Sequence, residues 1–227
     1  MAVKVRNRPR GGLLRRPTGD VVKGGRTFMH IWFTVAALLL IGVAGCSENE
    51  QAAANARIDC VITGERTCKL GEAPKLAVSL RNQGNVDIYL IGSLDASDCK
   101  WRYPHCYFEV IGPNGVPSTQ PLARCGNMNT LRAKDFVKVR PGETFDPYQR
   151  IDNYGFFSPH QFAAENFTQP GKYRIRFVYS TTSTDIGDWA GDGGPRVASN
   201  SEIVRMFRMV PKVEAQSDEF ELTVVKQ

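Results

Sequence analysis

Histidine is scarce, with three in 227 residues. His105 and His160, the two that follow the apolar N-terminal stretch, stand in no H-E-x-x-H pair, so a zinc site has no ligand set. The sequence has no C-x-x-C pair, no G-x-S-x-G elbow and no glycine-rich phosphate loop. Ser158 and His160 are near neighbours, but Ser158 precedes Pro159 and reads as a helix cap rather than a nucleophile. These absences argue against thiol redox, metal hydrolysis, serine-esterase and nucleotide chemistry. The expectation is a protein that is not an enzyme and needs no cofactor. A permanent membrane span is also wanting. About 20 consecutive apolar residues are required, and the run from Phe28 to Gly45 is shorter and is interrupted by His30 and Thr34.

A basic surface for nucleic acid is missing too, although the formal net charge is +6. Residues 1–27 hold eight Lys and Arg and one acid, Asp20, which leaves 21 basic against 22 acidic side chains in the rest. Without the leader the positive balance vanishes, and nucleic-acid binding with it. Arg15-Arg16 precedes a proline far from the apolar run, so it does not read as a twin-arginine export signal.

The apolar run itself is informative. It has a basic flank and ends in small residues, the plan of a secretory signal over residues 1–45. A stretch starting near Val21 would by itself make a normal signal, so residues 1–20 read as an upstream start or an N-terminal extension. The end, Val43-Ala44-Gly45-Cys46, resembles the lipobox of bacterial lipoproteins. That resemblance implies a diacylglycerol on the Cys46 thiol, cleavage before it, and attachment to a membrane through the lipid. Ser47 stands where an aspartate tends to retain such proteins in the inner membrane, which points to the outer membrane, facing the periplasm. Residues 46–56 then read as a lipidated, flexible tether, and 57–227 as one domain.

In that domain Gly and Pro punctuate short alternating runs, the pattern of an all-β sandwich. The clearest strand, KYRIRFVYS at 172–180, points Tyr173, Ile175, Phe177 and Tyr179 one way and Arg174, Arg176 and Val178 the other. The segments 57–62, 75–82, 86–92, 107–112, 135–139, 143–149 and 219–225 alternate in the same way, with turns at Gly84-Asn85, Pro113-Asn114-Gly115 and Arg140-Pro141-Gly142. The expected fold is an immunoglobulin-like sandwich of seven to eight strands. Two short edge helices interrupt it, SPHQFAAENF and SNSEIVRMFRMVP, the second with Ser199 and Glu202 as a capping box. Its apolar face, Ile203, Met206, Phe207 and Val210, docks on the sandwich or forms a methionine-rich partner groove.

The stretches "CKLGEAPKLAVSLRNQGNVDIYL", "VRPGETF" and "PGKYRIRFVYSTTS" are similar to immunoglobulin-like domains of bacterial secreted proteins, to deuterolysin-type propeptides and to intracellular proteinase inhibitors of bacilli. The residues concerned are strand and turn residues, so the resemblance implies a fold rather than an activity.

Five cysteines follow Cys46, and an oxidising envelope favours pairing. Cys60 with Cys68, and Cys125 with Cys99 or Cys106, are the expected bridges, leaving one thiol over. Asp185, Asp188 and Asp192 crowd a glycine-rich loop that reads as solvated; calcium is the alternative, at a spacing unlike that of an EF-hand, and no metal is expected. Two aromatic loops remain, one with Trp101 and Tyr103 and one with Trp189; they bind a partner or cap the core. Taken together the residues describe a lipid-anchored envelope module that binds or supports an envelope protein or glycan. The alternatives are a proteinase inhibitor presenting residues 181–198 and an unrecognised envelope hydrolase.

Overall fold

The computed structural model describes residues 50–53, 56–118, 128–148 and 164–226. Cys46, Cys125, Ser158 and His160 lie outside them. Ten strands occur among the described residues: β1 (Ile58–Gly64), β2 (Thr67–Lys69), β3 (Leu76–Asn82), β4 (Ile88–Ile91), β5 (His105–Ile111), β6 (Phe136–Val139), β7 (Thr144–Phe145), β8 (Gly171–Ser180), β9 (Glu214–Gln216) and β10 (Phe220–Val225). One sheet runs β1-β3-β7 and is prolonged by the β4-β6 pair; the other runs β2-β10-β8-β5, with β9 also on β8. All pairings are antiparallel except that of β2 with β10. The chain is an all-β, immunoglobulin-like sandwich.

Alternation drives this arrangement. In β8, Tyr173, Ile175, Phe177 and Tyr179 are buried, Arg174 is exposed and Arg176 half-exposed. Opposite them Leu80 and Phe145 come from the other sheet, and Phe108 and Leu222 from the neighbours of β8, to form one apolar cluster. Phe108 and Phe177 pack with ring centroids 4.8 Å apart. Tyr173 closes the turn before β8: its hydroxyl donates to the Gln169 carbonyl at 3.0 Å and accepts from the Gln169 amide at 3.2 Å. This is the tyrosine corner of such sandwiches.

Gly84-Asn85 does not fold the chain back. Leu80 faces Phe145 and Ile88 faces Val139, so β3 and β4 advance eight residues while the returning chain advances six. The two strands run on in the same direction across a bulged interruption at residues 83–87, and Asn82 holds it. Asn82 is fully buried; its amide donates to the carbonyls of Val86 (2.9 Å) and Val139 (3.1 Å), and its carbonyl accepts from Gly84 N–H (2.9 Å).

Part of the stretch expected to be a tether packs on the domain. Residues 50–53 are helical, and Ala53 and Ala56 are buried in the main cluster. Small side chains permit this, because Ala56 packs in the space left open by Gly84.

One end of the sandwich is covered by α1 (Gly194–Ala198) and α2 (Ser201–Arg208). The cap of α2 is Asn200, not Ser199: its side chain accepts from the amides of Glu202 and Ile203, while the Ser199 hydroxyl donates to the Arg196 carbonyl. Ile203, Met206, Phe207 and Val210 are buried in a second cluster with Trp189, Leu131 and Phe136. That face is core and not a methionine-rich groove. No helix among the described residues is long and apolar enough to cross a membrane.

Candidate binding surface

His105, the first residue of β5, pairs with Ser180, the last of β8. The loop entering β5 and the loop leaving β8 therefore sit at the same end of the sandwich, and they are bolted together. Tyr103 N–H donates to the Asp188 carbonyl at 3.1 Å. Arg102, 2 % exposed, places Nη1 2.6 Å from Asp95 Oδ1 and donates from Nε to the Trp189 carbonyl at 2.9 Å. Asp95 Oδ2 in turn accepts from the Asn129 amide at 2.5 Å. Gly191, at φ +60°, passes so close that a Cβ there would lie 2.4 Å from the Asn129 carbonyl oxygen. Only glycine fits that crossing.

The two tryptophans have different fates. Trp101 is 56 % exposed, whereas Trp189 is fully buried. Trp189 cannot anchor a partner as it stands: Tyr103 stacks on it at 5.5 Å, Phe207 meets it edge-on at 5.4 Å, and its Nε1 donates to the Ser183 carbonyl. The physical reason is the apolar end of the sandwich, which needs a large ring to seal it. Tyr103 is half-buried, stacks on His105 at 3.9 Å and shares a hydrogen bond with Thr182. Burial, then the nearby Lys100, lowers the His105 pKa, with Glu214 and Asp188 opposing.

Trp101 stands on a strained support. Ala96 (φ 66°) and Lys100 (φ 62°) are left-handed without being glycine. Trp101 N–H donates to the Ala96 carbonyl at 3.2 Å, and Lys100 Nζ lies 3.9 Å over the Tyr107 ring. Such conformations cost on the order of 1–3 kcal/mol each and persist only where the surroundings over-determine them. Nothing in the sequence flagged Arg102 or the two left-handed residues; a lone Arg between Trp and Tyr has no signature.

Asp185 accepts from Gly187 N–H, Asp188 from the Ser183 hydroxyl and Asp192 from the Met128 amide. The three carboxylates are spent on separate loop contacts, and no group of three His, Cys, Asp or Glu among the described residues gathers to hold a metal. Cys60 and Cys68 sit in different sheets, facing Leu80 and Val224 on their partner strands, and both are free thiols, as is Cys106. The Cys60–Cys68 bridge fails because the chain crosses from one sheet to the other between them. Cys99 donates to Asp98 at 3.7 Å. Burial, with Asp59 adding to it, pushes the Cys60 thiol up to about 12, and burial holds Cys106 well above its ordinary value. Neither is a reactive thiolate at neutral pH.

Two open depressions lie among the described residues. One, of about 190 Å³, adjoins Pro113, Asn114, Asn166 and Tyr173; the other, of about 510 Å³, is lined by Ile186, Ala198, Val204 and Phe207 with Asp185 and Arg208 at its rim. Neither holds an acid–base pair of the kind a hydrolase uses.

No protein-family model matches the chain, and no curated protein does. Among solved structures, the CARDB domain of the PF1109 protein from Pyrococcus furiosus, solved in complex with di-metal ions, is similar at 13 % identity over 75 % of this chain and 90 % of its own. The TM-score is 0.29, a likeness too loose to bear on fold or chemistry.

Proposed function

We propose that this chain is a lipid-anchored module of the bacterial cell envelope, held on the outer membrane by Cys46 and facing the periplasm, that binds an envelope protein or glycan through Trp101 without catalysing a reaction. One observation carries the binding part: an exposed tryptophan stands on a loop fixed by a buried ion pair and two left-handed residues. Exposed, preorganised Trp is the residue type that most often dominates an interface. The anchoring part rests on the V-A-G-C tetrapeptide at the end of a signal-length apolar run.

The inhibitor alternative needs a protruding loop at 181–198. That segment is instead folded down, with Trp189, Ala190, Gly193 and Val197 buried.

Two measurements test the proposal. Labelled fatty acid enters the wild-type protein and not Cys46→Ala; incorporation in both removes the anchor. A photoreactive side chain at position 101 gives a discrete adduct in intact envelopes, while one at the exposed Glu219 gives none. Absence of an adduct at 101 removes the binding surface.

A further inference from the structure

Resting on the lipid-anchor reading above, we infer that the exposed face of α2 is held against the phospholipid surface that carries the Cys46 lipid. The argument starts from chain length. Cys46 precedes Glu50 by four residues, which span at most about 14 Å when fully extended. Glu50 is already on the body of the domain: its Oε1 lies 3.9 Å from Arg208 Nη1, and three residues on Ala53 is completely buried. The lipid therefore leaves the domain beside the C-terminal turn of α2. The bilayer surface cannot recede from Arg208 by much more than that reach.

What α2 offers there suits a headgroup layer. Its outward side chains are Glu202, Arg205 and Arg208, with both arginines in the last turn. Beside it runs the groove floored by Ile186, Val204 and Phe207, with Arg208 at the rim. Guanidinium groups bind phosphate oxygens in a planar fork, and the adjoining apolar strip accepts the glycerol and upper acyl region below the phosphate. The Arg208–Glu50 contact is loose and exposed, with 61 % of the Arg208 side chain accessible, so it leaves the guanidinium able to reach a phosphate. The acids at this face are Glu50, already 3.9 Å from Arg208, Glu202 at the far turn of the helix, and Asp185, whose Oδ1 is taken by Gly187 N–H.

The test uses the lipidated full-length protein in vesicles of phosphatidylethanolamine and phosphatidylglycerol. A photoreactive side chain replaces Glu202 in one sample and Asn114, in the hairpin at the opposite end of β5, in another. Phospholipid adducts form at 202 and stay at background at 114. Background at 202, or equal adducts at both positions, overturns the inference. Flotation of wild type and Cys46→Ala is measured in parallel. If neither floats, the anchor reading fails and takes the inference with it; if only wild type floats and 202 stays silent, the inference alone is lost.

Discussion

Arg102 and Asp95 form the innermost ion pair described, 2.6 Å long, with the arginine side chain 1 % accessible. It joins three stretches of chain, since Arg102 also holds the Trp189 carbonyl and Asp95 the Asn129 amide. Burial lowers the Arg102 pKa and Asp95, Asp135 and Asp192 oppose it, so the charge is retained by its surroundings. Its Nη2 has no hydrogen-bond partner among the described residues. Arg102→Ala should lose about 3–5 kcal/mol, the range for breaking one side of a buried pair. Arg102→Met, which keeps the volume, should lose less if Asp95 can turn toward solvent. Urea unfolding of the two variants checks this, and an Arg102→Ala loss under about 1 kcal/mol would show that the pair does not organise the loops.

The faces of β8 predict a second contrast. Phe177 is completely buried between Phe108 and Tyr148, whereas Arg176 lies half-exposed on the other face. Phe177→Ala should cost about 3–5 kcal/mol, the range for emptying a large buried site, and Arg176→Ala several-fold less. Thermal melts reversing that order would mean the strand is turned over.

Asn82 supplies the third. Replacing it by Ala strands the Val86 and Val139 carbonyls and the Gly84 amide. Only the Val139 bond is buried, the other two being part-buried, so a loss of about 1–3 kcal/mol, the range for one buried group left unsatisfied, is expected. Asn82→Asp keeps the acceptor for Gly84 but has no amide to donate, and should rescue little. Full rescue by Asp would show that the bulge needs only the contact to Gly84.

How far these features were legible in the sequence depends on their range. β8, β10 and β3 could be read from period-2 alternation, because one buried and one exposed face leave a local trace. The short strands β2 and β9, three residues each, leave no period to detect. The role of Asn82 is hidden because Gly84-Asn85, just after it, reads as a turn, and only the register with the returning chain shows a bulge. Trp101 and Trp189 sit in loops of similar composition. Their opposite exposure is decided by Phe207 and Tyr103, which arrive from distant parts of the chain. Alanines 53 and 56 read as linker for the same reason: they are buried in a cluster most of whose other members lie far along the chain, and Gly84 meets Ala56.

Lys212 carries the last prediction. Its Nζ lies 3.5 Å over the Phe207 ring and 5.0 Å over Trp189, and donates to the Phe207 carbonyl at 3.3 Å. Rings and carbonyl favour the charged amine, yet removal from water outweighs them and pushes the pKa down from 10.5 to about 8. Between those two values the unfolded chain holds a proton that the folded chain has released, so this residue adds stability as pH rises from about 8 toward 10.5. Below pH 8 both states are protonated and its cost is constant. Cys60 and Cys106 act in the opposite sense above about pH 9, because burial raises their pKa values. They are common to wild type and Lys212→Met and cancel in the difference. Methionine keeps an apolar stem against Trp189 and Phe207 and has no proton to lose. Urea unfolding of both proteins at pH 7, 8, 9 and 10 should give stability curves that run parallel up to pH 8, after which wild type gains on the variant. Curves that stay parallel to pH 10 would mean that Lys212 remains in water and that the aromatic end of the domain is less tightly closed than the Trp189 contacts imply.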